Sequence, residues 1–141
     1  SKEVTNDQAK PLDTNAKLIR VHFRKGAARL NVSKQTRYAI VQAAMRSKRI
    51  ILNGEARSAG GATANMRLAR ARALSAKHML VGEGIAASKI ILSYSAGRGR
   101  VALNNTKDGR ASERRVDFIF VGPEEERIQV ARSDKHLGRA E

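Results

Sequence analysis

Two hydrophobic periods alternate along this 141-residue chain, and nothing else in the sequence limits its fold as tightly. Apolar residues fall at strand spacing over 18–23, 49–56, 89–94 and 114–121. Helical spacing fills two of the gaps, near 33–47 and 63–82. The last strand is the clearest, because Val116, Phe118 and Phe120 share one face and Pro123 ends the run. Ser33 is placed to cap the first helix, whose apolar positions Tyr38, Val41, Ala44 and Met45 recur at helical spacing. Thr63 is placed to cap the second helix, and Gly82 and Gly84 to stop it.

The order β-α-β-α-β-loop-β predicts an α+β sandwich over 18–122, with two helices on one face of a four-stranded mixed sheet. Residues 1–17 are polar and read as a flexible lead-in, and 123–141 as a flexible or partly helical tail. Residues 96–112 read as a loop rich in Gly, Arg and Asn.

Composition narrows the chemistry. Aromatics are only 4% of the chain, so the core has to be built from Ile, Leu, Val and Ala. With no Cys there are no disulfides, thiolate metal sites or Cys nucleophiles. No apolar run approaches the roughly 18 residues of a membrane span. His22, His78 and His136 are scattered, the acids form no metal-ligand spacing, and no nucleotide-binding glycine pattern occurs. The sequence therefore proposes no enzyme activity, no catalytic residues, no metal and no cofactor. Lys and Arg total 28 against 13 Asp and Glu, a net charge of +15. The excess lies within 18–122, where 21 basic residues face 5 acidic ones, a net of +16. It points to an anionic partner: nucleic acid, a wall polymer or membrane, or an acidic protein.

Several local strings coincide with one family. Val21-His22-Phe23-Arg24-Lys25-Gly26-Ala27-Ala28-Arg29-Leu30 is similar to its V-x-F-x-x-G-S-A-x-L opening. Residues 54–73 follow its G-H-T-D-x-x-G-x-x-x-x-N-x-x-L-S-x-x-R-A spacing, matching at Gly54, Gly60, Asn65, Leu68, Arg72 and Ala73. Residues 104–116 are similar to its closing N-N-T-x-x-G-R-A-x-N-R-R-V. Over about 18–121 the chain resembles the OmpA-like C-terminal domain, the peptidoglycan-associating module of outer-membrane proteins, lipoproteins and flagellar stators.

The resemblance implies a ligand site at Arg57, Asn65, Leu68 and Arg72. In the family an Asp at the position of Arg57 takes the ammonium of a diaminopimelate stem-peptide residue, and the Arg matched by Arg72 takes its carboxylate. Here Arg57 replaces that Asp. Glu55 replaces a His, Ala56 a Thr, Ala69 a Ser, and Glu113 an Asn.

Asn65 and Arg72 lie two helical turns apart with Leu68 between them, so they share one flank. Arg72 can clamp a carboxylate bidentately, or it can be a structural Arg bonding loop carbonyls. Arg57 repels an ammonium by about 4 kcal/mol at 4 Å and an effective dielectric near 20. Glu55 can neutralise Arg57, the site can accept an anion instead, or Arg57 can swing into solvent. Arg98 and Arg100 on the Gly-rich loop, and Arg114 and Arg115 on the last strand, are further candidate anion or partner contacts. Arg114 and Arg115 are adjacent, so they point to opposite faces, and one of them can tie the loop at 104–112 to the sheet through Asp108.

The expectation is a noncatalytic periplasmic binding module of a Gram-negative outer-membrane, secretion or conjugation assembly. Its peptidoglycan binding is weakened or lost, its partner is either peptidoglycan, held weakly, or another envelope protein, and its tether lies outside this chain. An ordinary peptidoglycan anchor is the first alternative, and a basic nucleic-acid-binding domain the second. The shortage of aromatics and of any helix-turn-helix spacing argues against nucleic acid as a specific partner.

Overall fold

A computed structural model describes residues 3–5, 16–58, 60–96 and 113–123. Five strands form one sheet: β1 (Glu3–Thr5), β2 (Leu18–His22), β3 (Arg49–Glu55), β4 (Ile90–Ser95) and β5 (Arg115–Val121), in the order β1-β2-β5-β3-β4. Helices α1 (Lys34–Arg46) and α2 (Ala62–Gly82) follow β2 and β3, and a 3-10 turn at Ala87–Lys89 leads into β4. The four strands read from the sequence are those of the fold. The fifth, β1, lies in the segment read as a lead-in and pairs in parallel with β2, Val4 opposite Ile19. Its three residues carry too little apolar pattern to stand out in the sequence.

The last strand of the chain becomes a central one. β5 is inserted antiparallel between β2 and β3, and β4 pairs in parallel with β3. The carboxyl ends of β2, β3 and β4 therefore lie at the same end of the sheet as the start of β5. The loops leaving β2 and β3, together with Arg114, meet there. In open sheets this is the end where ligands bind.

One sheet face is apolar because each strand alternates. Ile19, Val21, Ile50, Leu52, Val116, Phe118 and Phe120 are buried there, and Leu52 pairs with Phe118, which also pairs with Ile19. Ala39, Ile40, Ala43 and Ala44 of α1 and Ala76 and Leu80 of α2 join the same cluster, so both helices cover this one face. Small residues dominate the helix side, and close packing follows from that.

Gly54 marks the tightest approach. A Cβ there would lie 2.0 Å from the Ala69 carbonyl oxygen and 3.0 Å from the Ala73 nitrogen, so the backbones of β3 and α2 touch.

Ser33 caps α1 as its position suggests, accepting from the Thr36 amide at 3.1 Å. The buried stripe of α1, however, is Thr36, Ala39, Ile40, Ala43 and Ala44 rather than the one containing Tyr38 and Met45, each of which is 61% exposed. The inward face is made of alanines around a single Ile, and its bulkier apolar residues point out. Thr63 is not the cap of α2. The helix starts after Gly61, whose φ of 91° favours glycine.

The far end of α2 closes with its backbone alone. Ile85 N–H donates to the Leu80 carbonyl and Gly84 N–H to Val81, with Gly84 at φ 94° and Ile85 buried beside Leu80 in the core.

Candidate functional site

Arg72 is fully buried, and its position follows from Gly54. With α2 pressed onto β3, its side chain reaches the loop that leaves β2. There Nε donates to the Ala27 carbonyl at 2.8 Å and Nη2 to the Arg24 carbonyl at 3.4 Å, while Nη1 donates to the Glu55 carbonyl at 2.9 Å. The guanidinium also lies 5.0 Å from the centroid of the Phe23 ring. Of the two roles open to Arg72 in the sequence, bonding loop carbonyls is the one its donors perform. It joins the ends of β2 and β3 from the helix that follows them in the chain. Burial, with the charge of Arg114 adding to it, lowers the pKa of Arg72 to about 10. The guanidinium therefore stays charged at neutral pH.

Asn65, two turns earlier on the same flank, is also buried. Its Nδ2 donates to the Ser58 carbonyl at 3.2 Å, and its Oδ1 accepts from the Ser58 hydroxyl at 2.7 Å. Ser58 thus becomes the residue that ties the loop after β3 to the first turns of α2, and sequence spacing alone did not single it out. Leu68 is half-buried between the two polar residues.

Arg57 is half-buried and starts the same loop. Its backbone is bracketed by Glu55, whose carbonyl Arg72 holds, and by Ser58, which Asn65 holds. The structure therefore brings Arg57, Asn65, Leu68 and Arg72 to one corner of the fold.

Glu55 points to the opposite face, where its two carboxylate oxygens accept from Asn53 Nδ2 at 2.7 Å and the Ser95 hydroxyl at 2.6 Å.

Arg114 joins the Arg72 corner, with Nε donating to the Phe23 carbonyl at 3.3 Å. Arg115 does not. As alternation requires, it points to the other face, where Nε meets Asp117 at 3.1 Å and Nη1 lies 3.6 Å from Glu113. Arg20 reaches the same Asp117 carboxylate from β2 with Nε at 2.8 Å and Nη2 at 3.4 Å. Asp117 is 5% exposed, and neither its burial nor this network was anticipated from its place in an alternating strand. Arg98, Arg100 and Asp108 lie outside the described residues, as does the tail beyond Pro123.

Among the described residues, no His, Asp and Glu side chains group as they would to hold a metal ion. Among the same residues, no helix is long and apolar enough to cross a membrane.

The family model described as the OmpA family matches residues 22–114, from the end of β2 to Arg114 at the site, and the chain belongs to that family. It is 41% identical over 76 residues to outer membrane protein A of Bordetella avium, covering 52% of this chain and 38% of that protein. The chain thus spans well under half the length of that curated relative. The peptidoglycan-associated lipoprotein of Burkholderia pseudomallei shares the fold at a TM-score of 0.61 and 22% identity, over 82% of this chain and 97% of that one. The OmpA-like domain of FopA1 from Francisella tularensis shares it at 0.59 and 16%, over 74% and 72%. The cell wall anchor of the T6SS from Pseudomonas aeruginosa does so at 0.52 and 19%, over 74% and 80%.

Proposed function

We propose that this OmpA-family domain is a noncatalytic periplasmic binding module of a Gram-negative envelope assembly, and that its ligand corner takes an acidic segment of another envelope protein in place of the diaminopimelate end of peptidoglycan. Relatives named as a peptidoglycan-associated lipoprotein and a cell wall anchor support the compartment and the wall-facing ancestry.

The observation that carries the altered ligand is the setting of position 57. The scaffold of the corner is intact, with Asn65 locked to Ser58 and Arg72 locked to the Glu55 carbonyl. Between those two anchors stands Arg57, where the family resemblance calls for a carboxylate. Arg72 and Arg114 already supply two cations to this corner. A third turns a site matched to a zwitterion into one that repels an ammonium and attracts carboxylates. The donors that Arg72 spends on carbonyls hold the loops in place, so discrimination falls to the exposed rim of the site.

The test is titration of the full chain with a diaminopimelate-containing stem peptide at fixed salt. The wild type is expected to show no saturable binding. Arg57→Asp is expected to create it, and Arg72→Lys in that background to weaken it again. Pull-down on purified sacculi should lose its signal between low and high salt, as nonspecific attraction does. Tight binding by the wild type that depends on Arg72 would restore the ordinary wall-anchor reading.

A further inference from the structure

At the opposite end of the sheet, a second cluster of cations surrounds a cleft that the family site does not use. Lys48 precedes β3 and Arg49 begins it, and Ser88 and Lys89 belong to the turn that leads into β4. Because β3 and β4 are parallel, with Ile50 opposite Ile90, the two turns are side by side. They line a cleft of about 330 Å³ together with Ile91. β3 runs seven residues from Arg49 at this cleft to Glu55 beside the Arg57 corner, a span of roughly 20 Å at about 3.3 Å per residue.

We propose that this cleft binds a phosphate ester. Among the described residues, five line it, three of them cationic and none acidic. A cleft lined by charges of one sign concentrates its field inward and raises the local concentration of the opposite ion. One of the cations is tied to the fold by its side chain, and the backbones carrying the other two are fixed by the sheet. Lys89 Nζ donates to the Ala44 carbonyl at 3.0 Å, in the last turn of α1, which leaves two of its three N–H groups for a ligand. The Lys48 backbone N–H is bonded to the Val121 carbonyl at 2.8 Å, and Arg49 is opposite Val121 in the sheet register.

One guanidinium, two ammonium groups and the Ser88 hydroxyl belong to the residues that line the cleft from two turns. That set of donors suits the several oxygens and the charge of a phosphate better than a flat carboxylate with two. Ile91, 40% exposed, supplies an apolar wall against which the carbon part of an ester packs. The shared chemistry is a phosphate on a short polyol, whether on a lipid headgroup or free in solution.

The test is an amide-shift titration of the full chain with glycerol 3-phosphate at constant ionic strength, with glycerol as the control. A parallel arm sediments the protein with phosphatidylglycerol vesicles and with phosphatidylcholine vesicles. Saturable shifts at residues 48, 49, 88, 89 and 91 are expected with glycerol 3-phosphate and not with glycerol. Preference for phosphatidylglycerol vesicles would identify a lipid headgroup as the source. Binding of the soluble ester without that preference would identify a free ester.

Lys89→Gln should weaken binding by about tenfold or more, the loss of one charge-assisted bond. Lys48→Gln, whose side chain holds no described contact in the fold, should weaken it several-fold with the amide spectrum otherwise preserved. Arg70→Gln, on the exposed side of α2, should leave it unchanged. Non-saturating shifts spread over all exposed Lys and Arg would overturn the proposal, as would shifts indifferent to Lys48→Gln and Lys89→Gln. So would binding that appears only when Glu124, Glu125 and Glu126 are changed to Gln, since the cleft would then serve an internal ion pair. The cleft and the Arg57 corner share no residue, so neither proposal falls with the other.

Discussion

Arg72 and Asp117 are both buried charges in the same small domain, and the fold treats them in opposite ways. Arg72 makes its three hydrogen bonds to neutral backbone carbonyls, with an aromatic ring beside it. Asp117, on the other face of the sheet, is gripped by two guanidinium groups, Arg20 and Arg115. The first arrangement, among the described residues, ties the cation to neutral carbonyls and leaves its charge standing. The second cancels charge with charge.

The corner built around Arg72 is therefore electropositive by construction, and Arg57 and Arg114 add to it. The network around Asp117 is internally compensated and serves to hold β2 and β5 together. A charge kept by dipoles remains available to a ligand's field, whereas a charge kept by counterions is spent on the fold.

The largest effect that would test this contrast is Arg72→Met. It removes a buried cation, whose burial is costly, but takes a donor from the carbonyls of Arg24, Ala27 and Glu55 at the junction of three elements. A net loss of about 4 kcal/mol is expected, as for breaking a buried, fully bonded charge. Urea denaturation of the full chain checks it. A loss under about 1 kcal/mol would mean that Arg72 is not the tie between the loops, because a net hydrogen bond alone is worth that much.

Asp117→Asn should cost less, about 2 kcal/mol, because Arg20 and Arg115 are partly exposed and water can take over some of their solvation. The comparison is sharpened by salt. The Asp117 contribution should shrink between low and high ionic strength, while the Arg72 contribution, made to dipoles in a dry site, should hardly move. Equal salt sensitivity in the two variants would erase the distinction drawn between them.

How much of this was legible in the sequence depended on side-chain size. The strands at 18–23, 49–56, 89–94 and 114–121 stood out because large β-branched or aromatic residues alternate in them, and the fold places strands at all four. The stop of α2 was legible because Gly84 adopts a positive φ that glycine favours. The buried face of α1 was not, because its inward side is mostly Ala while Tyr38 and Met45 are larger and exposed. Hydrophobic periodicity weighs residues by size, and a helix that packs closely inverts the signal.

At the site, the spacing of Asn65 and Arg72 on one flank could be read, since it lies within a helix. Their partners could not. Ser58, Ala27 and Arg24 reach them through loops, and loop geometry leaves no period in the sequence. The burial of Asp117 depends on pairing across strands 97 positions apart and was equally invisible.

The smallest predicted effect is an absence of change, and it follows from the sign of the Arg72 shift. Burial and Arg114 lower the folded-state pKa to about 10, below the ordinary value that the unfolded chain would show. A cation whose pKa falls on folding binds its proton more weakly in the native state, so the group opposes folding wherever it is charged in both states. That opposition is constant below the folded pKa and fades only as the pH climbs above about 10, where the native guanidinium begins to release its proton first. The stability difference between wild type and Arg72→Met, followed by thermal unfolding, should therefore be flat from about pH 6 to pH 9. Above about pH 10 the difference should widen in favour of the wild type, since only the wild type gains from shedding the buried charge. A slope between pH 6 and 9 would show that Arg72 is coupled to a group titrating in that range. In that case its charge would be compensated after all, and the contrast with Asp117 would fail.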